Sequence, residues 1–414
     1  MNEKKLTKLE KYWILYDVGN SAFVLLVATI LPIYFNALAA GEGLSEVQYL
    51  AYWGYAASIS TLIVAVIGPI FGTIADTRGY KKPIFIMSMM VGVLGCAVLS
   101  VPTSWVIFLA VFVIAKVGYS SSLIFCDAML SDVTTPERMD MVSSHGYAWG
   151  YIGSCIPFII SLIFVLGNEA IGISMGTAMT IAFLLNAGWW LLATLPLLKN
   201  YEQKNYIERP KHVFRSSFGR LAGTFKEMKK HKKIFMFLLA FFFYIDGVYT
   251  IIEMATAYGS ALGLDSTGLL LALLLTQIVA FPFALIFGRL AKQYETGKLI
   301  KACILAYICI ALFAIQLDKQ WEFWALAVCV GMFQGAVQAL SRSYFAKIIP
   351  AEKSGEFFGI FDICGKGASF MGTALMGMFA QITGSPNGGV AILAVMFVIG
   401  FILFGKAEKI ESGK

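Results

Sequence analysis

Charged side chains are scarce in this sequence. They make up 14% of its 414 residues, where a soluble domain carries roughly a quarter. With 58% of residues apolar, that shortage excludes an ordinary soluble globular chain. Histidine is nearly missing: His145, His212 and His231 are scattered, and none stands at ligand spacing from a cysteine or carboxylate. Zinc and haem sites are therefore not expected. The seven cysteines (Cys96, Cys126, Cys155, Cys303, Cys309, Cys329, Cys364) all fall inside apolar runs, so they read as small packing residues and not as disulfides or metal ligands. No Walker-type sequence occurs, which argues against ATP hydrolysis. An enzyme would need a nucleophile–base pair or a metal cluster, and a receptor would normally append a soluble domain. Neither feature is present.

What the chain has in abundance is apolar runs of about twenty residues, the length that crosses a bilayer as a helix. Twelve are expected, at 13–39, 50–75, 83–101, 104–130, 143–166, 175–198, 234–259, 267–288, 299–316, 321–345, 356–382 and 387–405. No stretch shows the alternation of a membrane barrel, so an all-α membrane protein is expected. The charged start, Met1 to Lys11, leads into a run too long for a signal sequence and is read as preceding a retained first span.

The formal charge of +7 follows topology, not a nucleic-acid partner. Of the 32 lysines and arginines, 29 fall in the termini, the central segment and alternate loops. One, Lys319, falls on the opposite side, and Lys116 and Lys366 lie within spans. The positive-inside rule then puts both termini in the cytoplasm. Residues 199–233 carry eleven of the basic residues and form the one linker, between a bundle at 1–198 and another at 234–414. This linker reads as a solvated basic connector; alternatively its end, 214–233, is an amphipathic helix on an anionic leaflet. The loop at Thr135-Pro136-Glu137-Arg138 has a copy at Ile349-Pro350-Ala351-Glu352-Lys353. Two pseudo-symmetric six-helix bundles joined this way resemble the layout of the major facilitator superfamily.

Between spans two and three stands Gly72-Thr-Ile-Ala-Asp76-Thr-Arg78-Gly79-Tyr-Lys81-Lys82. It resembles that superfamily's Gly-x-x-x-Asp-Arg-x-Gly-Arg-Lys loop, with the arginine one place later. The resemblance implies a latch in which the aspartate meets a helix N-terminus across the pseudo-two-fold, so Asp76 and Arg78 are read as gate residues. The corresponding loop of the second half, 288–298, lacks the aspartate. Further matches are Tyr16-Asp17-Val-Gly-Asn20-Ser21-Ala-Phe23, Phe125-Cys-Asp127, Val142-Ser-Ser-His145-Gly146-Tyr-Ala-Trp149-Gly150, Tyr244-Ile-Asp246-Gly247, Ser341-Arg342-Ser343, Glu356-Phe-Phe-Gly359 and Gly365-Lys366-Gly367. Together they resemble the vacuole effluxer family, autophagy-related amino-acid transporters with bacterial members. Where the family pattern has Asn and Pro, this chain has Asp127 and Ser131.

In the superfamily, spans one, four, seven and ten line the cavity. Each of those spans carries a polar stripe here: Asp17, Asn20 and Ser21; Lys116 and Asp127; Asp246 and Glu253; Gln334, Gln338 and Arg342. Charges inside lipid are costly and mark pathways. By depth, Lys116 and Asp246, with Asn20, Gln334 and Gln338, are assigned to the substrate, and Asp246 and Glu253 to proton coupling. Asp17, Asp127 and Arg342 are assigned to a gate, as are Asp362 and Lys366, which could equally pair with each other at i, i+4. Trp13, Trp105, Trp321 and Trp324 read as anchors at the membrane rim. The expected protein is a plasma-membrane secondary transporter of a small polar solute, an amino acid by the resemblance. It works by alternating access, proton-coupled and in the efflux direction. It is expected to be monomeric, without cofactor, with substrate, protons and lipid as partners. The alternative is an exporter of cationic amphiphilic drugs or lipids.

Overall fold

The computed structural model of the chain describes residues 5–44, 46–101, 104–210, 213–227 and 231–410. It is built of helices. The first span comprises Lys8–Ala28 and Ile30–Gly41. Spans two to six are Glu46–Ala75, Lys81–Ala97, Trp105–Ala128 with a short continuation Leu130–Val133, Met139–Leu166 and Met175–Asn200. A linker helix, Val213–Glu227, precedes spans seven to twelve at Lys232–Ala261, Ser266–Leu290, Thr296–Ala314, Gln320–Ile348, Ser354–Thr383 and Pro386–Lys409. Among the described residues, ten stretches are individually long and apolar enough to cross a membrane. The third span, at 17 residues, and the eleventh, rich in glycine and charge at its start, complete the twelve.

Local chemistry sets the ends of these helices. Thr7 caps the first span reciprocally with Glu10, and Ser174, Asp265 and Ser385 cap the sixth, eighth and twelfth. The first span breaks at Thr29 because Pro32 has no N–H to offer the Ala28 carbonyl. Large apolar side chains point outward, Leu62, Leu166 and Leu192 among them. In a bilayer, lipid is the solvent for that surface.

The internal repeat is visible in side-chain chemistry. Tyr16 and Ser122 share a 2.6 Å hydroxyl–hydroxyl bond between spans one and four, and Tyr244 and Ser341 share one of 2.7 Å between spans seven and ten. The same tether therefore joins the first and fourth helix of each bundle.

Candidate functional site

The two bundles meet most closely at the end bearing both termini, the linker and the basic loops, here called the basic end. Its central feature is Arg342, on the tenth span and 2% exposed. This guanidinium crosses into the first bundle. Its Nη2 donates to Asp17 Oδ2 at 3.0 Å and its Nη1 to Asp127 Oδ1 at 2.9 Å. Nε donates to Ser143 Oγ at 2.9 Å and Nη2 also to the Ser143 carbonyl. Trp13 and Tyr147 cover its two faces, with ring centres at 4.5 and 4.4 Å, an arrangement the planar guanidinium suits. Gly146 leaves room for it: a Cβ there would lie 2.9 Å from Arg342 Nη2. Asp17, Asp127 and Arg342, read separately along the sequence, thus form one triad. Trp13 is no rim anchor; it is fully buried and donates to the Cys126 carbonyl.

A second cross-bundle cluster lies beside the triad. Asp140 on the fifth span accepts from Ser343 at 2.6 Å, from Thr296 at 2.8 Å and from Lys347. Nearer mid-membrane, Tyr151 donates to Gln338 Oε1 at 3.0 Å. Tyr151 stands beside Tyr147, with ring centres 6.2 Å apart.

The latch loop closes the same end. Asp76 accepts from the backbone N–H groups of Gly355 (2.7 Å) and Glu356 (2.9 Å), at the N-terminus of the eleventh span. A helix start favours negative charge there. Burial pushes this carboxyl up to about 7, opposed by Lys81 and the two N–H donors. Glycines allow the approach: a Cβ on Gly72 would stand 2.7 Å from the Gly355 carbonyl carbon, and one on Gly359 2.7 Å from Pro69 Cα. The cation of the latch is Lys81, not Arg78. Fully buried Lys81 donates to Ser354 Oγ at 2.8 Å and pairs with Asp132 at 3.4 Å and Asp76 at 3.9 Å. Arg78 turns outward, pairing with Glu208 at 3.5 Å and stacking on Tyr206. The cause is local: Gly79 at φ +81° turns the chain just before the third span, and Lys81, as its first residue, faces inward.

The linker differs from a solvated connector. Residues 201–207 lie along the latch loop, with the Arg78 N–H donating to the Ile207 carbonyl and the Ile207 N–H to that of Asp76. Asp132 accepts from the Tyr201 hydroxyl at 2.5 Å and from Asn205 N and Nδ2. Arg220, on the linker helix, donates to the Thr73 carbonyl. Tyr201→Phe is expected to destabilise the protein by about 1–3 kcal/mol, because it strips a donor from a buried carboxylate. An unchanged thermal unfolding midpoint in detergent would show that the strap bears no load.

The residues expected to meet substrate lie deeper. Lys116 is half-buried on the fourth span, its Nζ 5.8 Å from the Phe112 ring centre. Asn20 is buried, and its amide nitrogen has no hydrogen-bond partner among the described residues. Asp246 is fully buried: Oδ1 accepts from Gly372 N–H (3.0 Å) and Thr250 (3.3 Å), while Oδ2 has no partner among the described residues. Glu253, seven residues on, is exposed. Asp362 is half-buried, and the Lys366 side chain lies outside the described residues. Sequence reasoning missed Ser143, Asp140, Lys347, Lys81 and Asp132. Asp140, Lys347 and Lys81 each stand within a turn of a helix end, where a charge is ordinary in sequence.

Twelve spans in two bundles, meeting through charges that cross between them, define a transporter of the major facilitator type. Comparison with known proteins agrees and goes further: the family model described as vacuole effluxer Atg22 like matches residues 7–414, and the chain belongs to that family. An uncharacterized MFS-type transporter of Bacillus subtilis (strain 168), YxiO, is 43% identical over 405 residues, covering 97% of this chain and 95% of that one. Autophagy-related protein 22 of Cryptococcus neoformans is 25% identical over 299 residues, covering 66% of this chain. The match spans 53% of that fungal protein's length. Among solved structures, the human organic anion transporter MFSD10 superposes with TM-score 0.72 at 15% identity, covering 98% of this chain and 100% of that one. The transporter FucP in the outward conformation gives 0.73 at 14% identity, covering 97% and 98%. These two likenesses concern the fold.

Proposed function

We propose that this transporter carries a small zwitterionic solute, an amino acid, by alternating access, coupled to protons and in the efflux direction across the plasma membrane. The observation that carries the reading is Lys116, a cation half-buried in the middle of a lipid-length helix. On helices of the same layer, Asn20 Nδ2 and Asp246 Oδ2 are buried without a partner among the described residues. A cation, an amide donor and a carboxylate acceptor are the groups that a solute bearing a carboxylate and an ammonium would use. Gln334 and Gln338 add neutral polar contacts. The family description, vacuole effluxer, supports the efflux direction. The excess of basic residues at one end supports cytoplasmic termini. The aromatic faces that Trp13 and Tyr147 present to a guanidinium favour, as a second reading, an aromatic organic cation.

The test is counterflow of radiolabelled amino acids into liposomes holding the purified protein, with terminal tags reporting orientation by protease access. Lys116→Met is expected to abolish counterflow while leaving the unfolding midpoint near that of the wild type. Normal counterflow in that variant would remove Lys116 from the site. Wild-type protein that moves aromatic cations and no amino acid would favour the second reading.

A further inference from the structure

Proton coupling requires a carboxyl whose surroundings change when the bundles rock. Asp246 and Glu253 fit that requirement poorly. Both donors to Asp246, Thr250 and Gly372, belong to its own bundle and would move with it, and Glu253 is already exposed. Asp127 differs. It sits on the fourth span, and among the described residues its hydrogen-bond donor is Arg342 of the opposite bundle. Rocking that opens the basic end must break this bond.

Counting charge sharpens the choice. One guanidinium balances one carboxylate, yet Arg342 holds two, Asp17 and Asp127. A second ionised carboxylate kept from water costs several kcal/mol unless something neutralises it. Among the described residues, the other groups that the charges of this site reach do not supply that charge. They are Asp362 on the eleventh span, Tyr147 on the fifth, Tyr249 on the seventh and Tyr119 and Cys126 on its own. Of the two carboxylates Asp17 is the more enclosed, its side chain 9% exposed against 17% for Asp127. Asp17 therefore reads as the standing counter-ion, and Asp127 as the surplus.

We propose that Asp127 carries the coupled proton: as the basic end closes on Arg342 and the opposite end opens, its carboxylate takes a proton from hydronium entering by that opposite end, and it gives the proton to water at the basic end when that end reopens. The step makes and breaks only the O–H bond and the Arg342 Nη1 hydrogen bond. This assignment rests on the proton-coupled reading above, but it can be tested without a solute. The full-length protein in liposomes is acidified, and the infrared band of protonated carboxyl groups is recorded. Asp76 and the other carboxyls give a common background, so the wild-type spectrum is expected to hold a component of that band that Asp127→Asn lacks, that Asp127→Glu regains and that Asp246→Asn keeps. Asp127→Asn is isosteric and leaves the Asp17–Arg342 pair in place, so it should unfold at nearly the wild-type temperature. A pH dye inside the same liposomes then reads solute-driven proton movement, which Asp127→Asn should lose and Asp127→Glu should regain. A band undiminished in Asp127→Asn, or one that loses this component instead in Asp246→Asn, overturns the assignment. If wild type shows the Asp127 band but no amino-acid counterflow, the amino-acid reading falls and the assignment stands.

Discussion

Arg342→Ala is expected to lower stability by about 3–5 kcal/mol and to abolish transport, the largest effect of any single substitution in this chain. The change removes one cation and leaves Asp17 and Asp127 facing each other in a largely buried site, with the Ser143 hydroxyl and carbonyl also stripped of a donor. Most of the cost is that uncompensated charge. Restoring neutrality should therefore restore stability: Arg342→Met combined with Asp17→Asn and Asp127→Asn is expected to unfold near the wild-type temperature and still fail to transport. Arg342→Lys should fall between, because an ammonium cannot fork to two carboxylates while lying flat between Trp13 and Tyr147. Thermal unfolding and counterflow on the same preparations check all three. Wild-type transport by Arg342→Ala would show the triad to be incidental.

Much of this arrangement can be read from the sequence, and the limits have physical causes. Apolar runs and the one-sided placement of basic residues give the spans, since length and solvation leave helices few choices in lipid. The triad residues stand out singly, because a charge within a span demands an explanation. Their convergence on one guanidinium does not, since it depends on how three helices rotate about their axes. The choice between Arg78 and Lys81 turns on less than one helical turn, decided by the backbone at Gly79. The strap at 201–207 is hidden for another reason. Tyr201 and Asn205 serve equally well in a solvated loop, and only Asp132, itself within a polar hook, shows what they bind. The tyrosines near Arg342 are lost among 18 in a chain where aromatics are ordinary filler.

Closure of the basic end depends on backbones as much as on charges, and Gly72→Val tests that dependence. Spans two and eleven touch through Gly68, Gly72, Gly355 and Gly359, with little space for side-chain atoms between them. A valine at 72 must push the eleventh span away, and its collision partner is main chain, which cannot swing aside as a side chain would. Overpacking of this kind costs about 1–3 kcal/mol. It also draws Asp76 off the two N–H groups it now holds at 2.7 and 2.9 Å. The sum falls on the closed arrangement alone, since the two spans separate when the basic end opens. The closed population should therefore drop by about tenfold or more, and counterflow with it. The structural readout is the distance between spin labels at exposed Arg78 and Glu352, in a background lacking the native cysteines. That distance should lengthen in Gly72→Val, whereas Gly219→Val, on the linker helix with open space around its Cβ, should leave it unchanged. If the labels stay as close as in the parent protein, the glycine contact does not govern closure, and the latch must be attributed to Lys81, Asp132 and Ser354.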